Sequence, residues 1–280
     1  TQAVTGVDAS GLSDGTYTLS VVLTDTSGNA GTAATTSSSG DSTSPSGYGV
    51  TVTTSPISNA NKTAAAFNIT SAEVGTTYTY SITSSGGGTP VTGSGSVSAT
   101  TQSVTGVDLS GLNDGTISVA VRLTDSAANM GSIATGTTTK DVAAPSGYAT
   151  LFTTSPVNNG NKAAAAIRIT SAEVGTTYAY SITSSGGGTP VTGSGTVSAA
   201  TQNVIGLNLG ALAEGTLTAS VTLTDTAGNV GTAATDTVTK DTSAPSGYAA
   251  AFTTSPINNT NKTAVAFNIT AAEIGATYAY

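Results

Sequence analysis

The chain has 280 residues, and only 8% of them are charged, against about a quarter in an ordinary globular protein. It contains no Cys and no His, which excludes disulfides, thiolate nucleophiles, imidazole bases and the usual zinc and copper sites. A net charge of −8 sets it against nucleic acid and anionic membranes, and no apolar run approaches the roughly 20 residues that span a bilayer.

Thr, Ser, Gly and Ala dominate what remains, and the many Thr and Val favour strands. With four Phe, one Met and no Trp, any core is thin and built from Val, Ile, Leu, Ala and Tyr. The stretch "TQAVTGVD" at residue 1 returns as "TQSVTGVD" at 101 and "TQNVIGLN" at 201. The segment "SAEVGTTYTYSITSSGGGTPVTGSG" at 71 returns at 171 with one change, Thr79 to Ala179. The period is 100 residues without insertion, and 41–140 and 141–240 agree at about 64 of 100 positions. Solenoid repeats run to about 45 residues, so this period is that of a whole domain in tandem array.

The segments "GDSTSPSGY", "KDVAAPSGY" and "KDTSAPSGY" place Pro45, Pro145 and Pro245 among small polar residues, a linker composition. Boundaries are expected near 41, 141 and 241. That gives the last part of one domain (1–40), two whole domains (41–140 and 141–240) and the first part of another (241–280). A partial sandwich cannot close its own core, so the sequence is expected to be a window on a longer array, with no signal peptide in view.

Within 41–140 the hydrophobic pattern has period 2. Strands are predicted at 48–54, 64–70, 77–84, 91–97, 101–108, 116–124 and 131–139, with turn chemistry in "SPISNANK", "SAEVG", "SGGGTP", "SGLNDG" and "DSAANMG" between them. Seven short strands in 100 residues predict an all-β chain of tandem immunoglobulin-like β-sandwiches.

The order "DSTSPSGY…AEVGTTYTY…LNDGTISVAVRLTDSAAN" resembles the bacterial Ig-like repeats of giant surface adhesins and biofilm-associated proteins over all 280 residues. Two departures stand out. Ala128 replaces the Gly found at Gly28 and Gly228, which puts a left-handed turn residue in doubt, and Ile117 or Leu217 stands where Tyr17 follows "DGT".

Alternating strand directions place the second turn and the sixth turn at the same pole as the incoming linker. Asp41, Glu73 and Asp125 are therefore expected at one pole, and Asp141, Glu173 and Asp225 at the same pole of the next domain. Asp25 ends one such set, and Asp241 with Glu273 begins another. Nine of the 15 acids belong to these sets. Clustered carboxylates repel unless a cation joins them, and hard oxygen donors in loops suit Ca²⁺. The resemblance implies the same ion, at the junction of successive domains. Asp and Asn are equally common as plain turn formers, which leaves a structural reading open. Asp14, Asp114 and Glu214 fall in the fifth turn at the opposite pole, from which they could reach the next domain's ion. Asp8, Asp108 and Asn208 read as turn-bonded or solvated.

The Gly-rich "SSGGGTPVTGSG" lacks the Lys of a phosphate loop and reads as a flexible hairpin. Lys62, Lys162 and Lys262 could pair with an acid of the following domain. Tyr48, Tyr148 and Tyr248 read as packing under the linker, with sugar stacking as the sharper alternative. "NKT" and "NIT" match glycan acceptor patterns. No enzyme constellation is present. The resemblance implies an extracellular stalk at a bacterial surface or matrix, whose partners are neighbouring repeats of the same chain. A filament of identical chains, in which neighbours complete the partial ends by strand addition, is the second reading. A sugar- or ice-binding face is the third.

Overall fold

The structure is a computed structural model that describes residues 1–280. It is all-β, with 18 strands and no helix, so no helix is long and apolar enough to cross a membrane. The chain divides into two compact units. The first holds Thr1–Ala143 with Ala227–Asn229, and the second holds Ala144–Thr226 and Val230–Tyr280.

The first unit begins with a hairpin of β1 (Gly15–Val21) and β2 (Ala34–Gly40), paired from Gly15↔Gly40 to Val21↔Ala34. Seven strands follow: β3 (Gly49–Val52), β4 (Ala65–Thr70), β5 (Thr77–Ser84), β6 (Val91–Ser96), β7 (Gln102–Val107), β8 (Gly115–Thr124) and β9 (Ala134–Lys140). They form two antiparallel sheets, β3-β4-β7 and β6-β5-β8-β9. All seven predicted strands are present, with ends that move by a few residues. The fourth strand joins the edge of β5, with a register that runs from Thr77↔Ser96 to Ile82↔Val91.

Period-2 patterning decides which side chains go inside. In β8 the buried positions are Ile117, Val119, Val121 and Leu123, and in β4 they are Ala65, Phe67 and Ile69. These two sets face each other across the sandwich, joined by Ile57, Ile82, Val97, Leu109 and Leu112. Phe67 packs edge-to-face with Tyr80 at 5.3 Å between ring centroids.

The second unit repeats this with β10 (Ala149–Phe152), β11 (Ala165–Thr170), β12 (Thr177–Ser184), β13 (Val191–Thr196), β14 (Gln202–Leu207), β15 (Gly215–Thr224) and β16 (Ala234–Lys240). Its sheets are β10-β11-β14 and β13-β12-β15-β16. Two further strands, β17 (Ala249–Phe252) and β18 (Phe267–Thr270), pair with each other.

One pairing crosses from sheet to sheet and runs parallel. Ile57 bridges Lys140: Ile57 N–H donates to Thr139 O, and Asp141 N–H donates to Ile57 O, both at 2.9 Å. Val157, Thr239 and Asp241 repeat it in the second unit. The start and the end of each sandwich are thereby tied side by side.

Candidate functional site: the two poles of each repeat

The Gly-rich turn after β5 is anchored, contrary to the flexible hairpin expected. Ser85 N–H donates to Thr116 O at 2.9 Å, Asn113 N–H to Gly87 O at 3.0 Å, and Asn113 Nδ2 to Gly86 O at 2.8 Å. The glycine at 86 is required by this close approach, since a Cβ there would lie 2.1 Å from Asp114 O. Lys62 does not pair with an acid. Its Nζ donates to Asn59 Oδ1 of its own loop at 2.7 Å.

At the pole of the incoming linker, Asp125 is turned toward its own turn. Its Oδ1 accepts from Ala127 N–H and Asn129 N–H, each at 2.9 Å, and its Oδ2 accepts from Asn129 Nδ2 at 2.8 Å. Asp25 does the same with Ser27 and Asn29. The Asn129 side-chain amide is the largest influence holding the Asp125 carboxyl below the ordinary range, as Asn29 is for Asp25. Asp225 and Asn229 are both buried at the equivalent place. Ala128 adopts the left-handed conformation at φ 72°, so the turn keeps its shape without glycine.

Asn129 carries a contact that the sequence reading missed. Its Nδ2 also donates to Asp41 O at 3.1 Å, and Asn229 Nδ2 donates to Asp141 O at 2.9 Å. Asn229 Oδ1 further accepts Asn59 N–H at 2.9 Å, within the first unit. The side chains of Asp41, Asp141 and Asp241 cap the linker itself, accepting the amides of Thr43, Ala143 and Ser243 at 3.0–3.1 Å. Glu73, Glu173 and Glu273 are exposed. The backbone carbonyls of Glu73 and Glu173 accept the Thr76 and Thr176 hydroxyls at 2.7 Å.

These residues reach the same pole, as strand alternation requires, but they do not form a cation cage. No three acids come together as a group able to hold a metal. The carboxylate oxygens of Asp25 and Asp125 accept N–H donors from their own turns.

Tyr48 and Tyr148 lie under the linker, as expected. Tyr48 Oη donates to Ser132 O and accepts Leu123 N–H at 3.2 Å. Tyr148 does the same with Thr232 O at 2.6 Å and Leu223 N–H at 3.2 Å. Each phenol thus ties the first strand of its sandwich to the sixth and seventh.

At the opposite pole the acid of the fifth turn holds the outgoing linker. Asp14 accepts Ser42 N–H and Ser42 Oγ, each at 2.7 Å, and also Thr43 Oγ1. Asp114 accepts Val142 N–H at 3.1 Å. Glu214 accepts Thr242 N–H at 2.9 Å, Thr242 Oγ1 at 2.6 Å and Ser243 Oγ at 2.9 Å. The Thr43 hydroxyl leads the influences that lower the Asp14 carboxyl, and the Thr242 hydroxyl those that lower Glu214. Asp8, Asp108 and Asn208 each accept the amide two residues on at 2.8–2.9 Å, the turn-bonded role expected of them.

The fold and its two poles define a class: tandem immunoglobulin-like sandwiches in which each repeat binds its own linkers. No family model matches the sequence, and no curated protein matches it. Among solved structures, the chain is similar to a tetra-tandem repeat in the extending region of a large adhesion protein. That match has 26% identity and a TM-score of 0.35, over 90% of this chain and 63% of the other. The chain therefore spans under two thirds of that structure's length. It is also similar to a structure from a 1.5-MDa bacterial ice-binding adhesin, at 25% identity and TM-score 0.41, over 84% of this chain and 77% of the other. The FN1–FN3 domains of chicken CNTN1 match at 9% identity and TM-score 0.39, over 81% and 76%.

Proposed function

We propose that the chain is an extender, a run of sandwiches that holds another part of a bacterial surface adhesin away from the cell. The observation that carries this reading is the path of the chain through each repeat. The incoming linker is bound at the pole of the sixth turn, by Asn129 on Asp41 O, and the outgoing linker at the pole of the fifth, by Asp114 on Val142 N–H. A domain that takes the chain in at one end and releases it at the other adds its own length to the array. The 10 residues of β8 alone span about 33 Å. The adhesin-like order of motifs and the low charge support the same reading, and an extracellular setting follows from it.

Small-angle scattering of chains with two, three and four such repeats tests it. The maximum dimension should rise linearly, by about 35–40 Å per repeat. A dimension that grows only as a compact particle does would end the extender reading.

A further inference from the structure

Lys140 and Lys240 are 4% and 3% exposed, an unusual state for lysine. A buried ammonium is costly unless its donors are satisfied. Lys140 Nζ donates to Leu112 O at 2.7 Å and to Asp114 Oδ1 at 3.3 Å. Lys240 Nζ donates to Leu209 O at 3.0 Å and to Leu212 O. Both lysines end the last strand of a sandwich, immediately before the linker, and both aim at the fifth turn.

The first repeat has no such lysine. Position 40 is Gly40, and the carbonyl equivalent to Leu112 O, that of Leu12, faces the Tyr17 hydroxyl at 3.4 Å. A Cβ at Gly40 would lie 2.3 Å from the Tyr17 ring, so a larger residue at 40 would have to displace that ring. Where a lysine stands at 140 or 240, the position of Tyr17 is held by fully buried Ile117 or Leu217. One carbonyl is served in all three repeats, by a phenol from the sixth strand or by an ammonium from the seventh.

We propose that this donor and the acid of the fifth turn form a latch that fixes where the linker leaves each sandwich, without a metal ion. Lys140 holds the last strand against Leu112 O and steadies Asp114, and Asp114 holds Val142 N–H. In the second sandwich the two parts act side by side: Lys240 holds the last strand against Leu209 O and Leu212 O, and Glu214 holds Thr242 and Ser243. Lys140 and Lys240 are positioning residues, and Asp114 and Glu214 contact the linker directly. The latch is read from hydrogen bonds between each sandwich and the linker that leaves it, and does not depend on the extender reading.

Amide hydrogen exchange by NMR on the full chain, with chelator present, tests it. Val142 and Thr242 amides should be protected. Lys140→Met keeps the apolar stem and removes the donor, so Val142 should exchange at least about tenfold faster while the β8 amides are unchanged. The double change Ile117→Tyr with Lys140→Gly rebuilds the first repeat's solution and should restore protection. Asp114→Ala removes the acceptor of Val142 N–H and one acceptor of Lys140 Nζ, so it should free Val142 while the β8 amides stay unchanged, and Asp114→Glu should not free it. Protection that appears only on adding calcium would overturn the latch. So would a Val142 rate unmoved by Lys140→Met and Asp114→Ala, or moved only in step with β8.

Discussion

Replacing Tyr48 and Tyr148 by Phe isolates the bond that seats the first strand of each sandwich. The β8–β9 ladder ends at Val121↔Ala134, so Leu123 N–H has no partner on that side except the Tyr48 hydroxyl. The same hydroxyl donates to Ser132 O. Phe keeps the ring and removes both bonds, each contributing about 1 kcal/mol net. The Ser132 bond is exposed to water, which can replace part of it, so the expected loss is about 1.5 kcal/mol per repeat. For a domain of this size that lowers Tm by about 6–12 °C. The chain contains its own control. Tyr248 occupies the same position in 241–280 but is 60% exposed, and Tyr248→Phe should stay within about 0.5 kcal/mol of the parent. Urea unfolding of the full chain measures all three variants. A loss below about 0.5 kcal/mol at Tyr48 and Tyr148, or an equal loss at Tyr248, would show that the ring and not the hydroxyl seats the strand.

Ala128→Gly should stabilise the first unit by about 0.5–1 kcal/mol, because Ala128 bears a left-handed φ of 72° where Gly28 and Gly228 bear 88° and 89° without strain. A lower denaturant midpoint would contradict this. Acid should weaken the linker contacts. Asp14 and Glu214 have carboxyls lowered by the linker hydroxyls, so their contribution is present above the unfolded carboxylate range near pH 4 and is lost as pH falls through the lowered values. Thermal melts from pH 6 to pH 2 should therefore steepen below about pH 4. Glu214→Gln should flatten that slope, and an unchanged slope would remove Glu214 as a source.

Much of this was legible in the sequence, and the reasons are physical. Alternation in "GTISVAVRLT" fixes one buried face for β8, because a strand pleat sends neighbouring side chains to opposite sides. Counting strand reversals then assigns Asp125 and Asp41 to one pole and Asp114 to the other. What the letters did not reveal was the direction of each carboxylate. An Asp before "SAAN" can face an ion or its own turn, and the choice follows from backbone angles that pattern does not encode. Asn129 was visible as a turn residue, but its second bond, to Asp41 O, crosses 88 residues. The anchoring of the Gly-rich turn was hidden for the same reason, since its partners Asn113 and Thr116 arrive from a distant segment. The latch did leave a trace. Tyr17 with Gly40 gives way to Ile117 with Lys140 and Leu217 with Lys240, a paired exchange that only the three-dimensional distance makes meaningful.

That exchange also bears on how near-copies remain one array. Residues 71–95 and 171–195 differ at one position, whereas 111–120 and 211–220 agree at only three of ten. The variable stretch includes the fifth turn and the start of the sixth strand, the part that receives the last strand and the linker. If that region were free to drift, its hydrogen bonds should scatter with its sequence. Instead Asn113 becomes Ala213, Asp114 becomes Glu214 and Ile117 becomes Leu217, while Leu112 O and Leu212 O each keep a lysine donor and the acid keeps the linker amide. The lysine bond to the carbonyl and the acid's bond to the linker amide are therefore retained, while the Asn113 side-chain bond to Gly86 O and the Lys140–Asp114 contact are not. A chain that changes residues around a bond but keeps the bond is constrained by the geometry that the bond enforces, and here that geometry is the seat of the linker's first residues on the fifth turn.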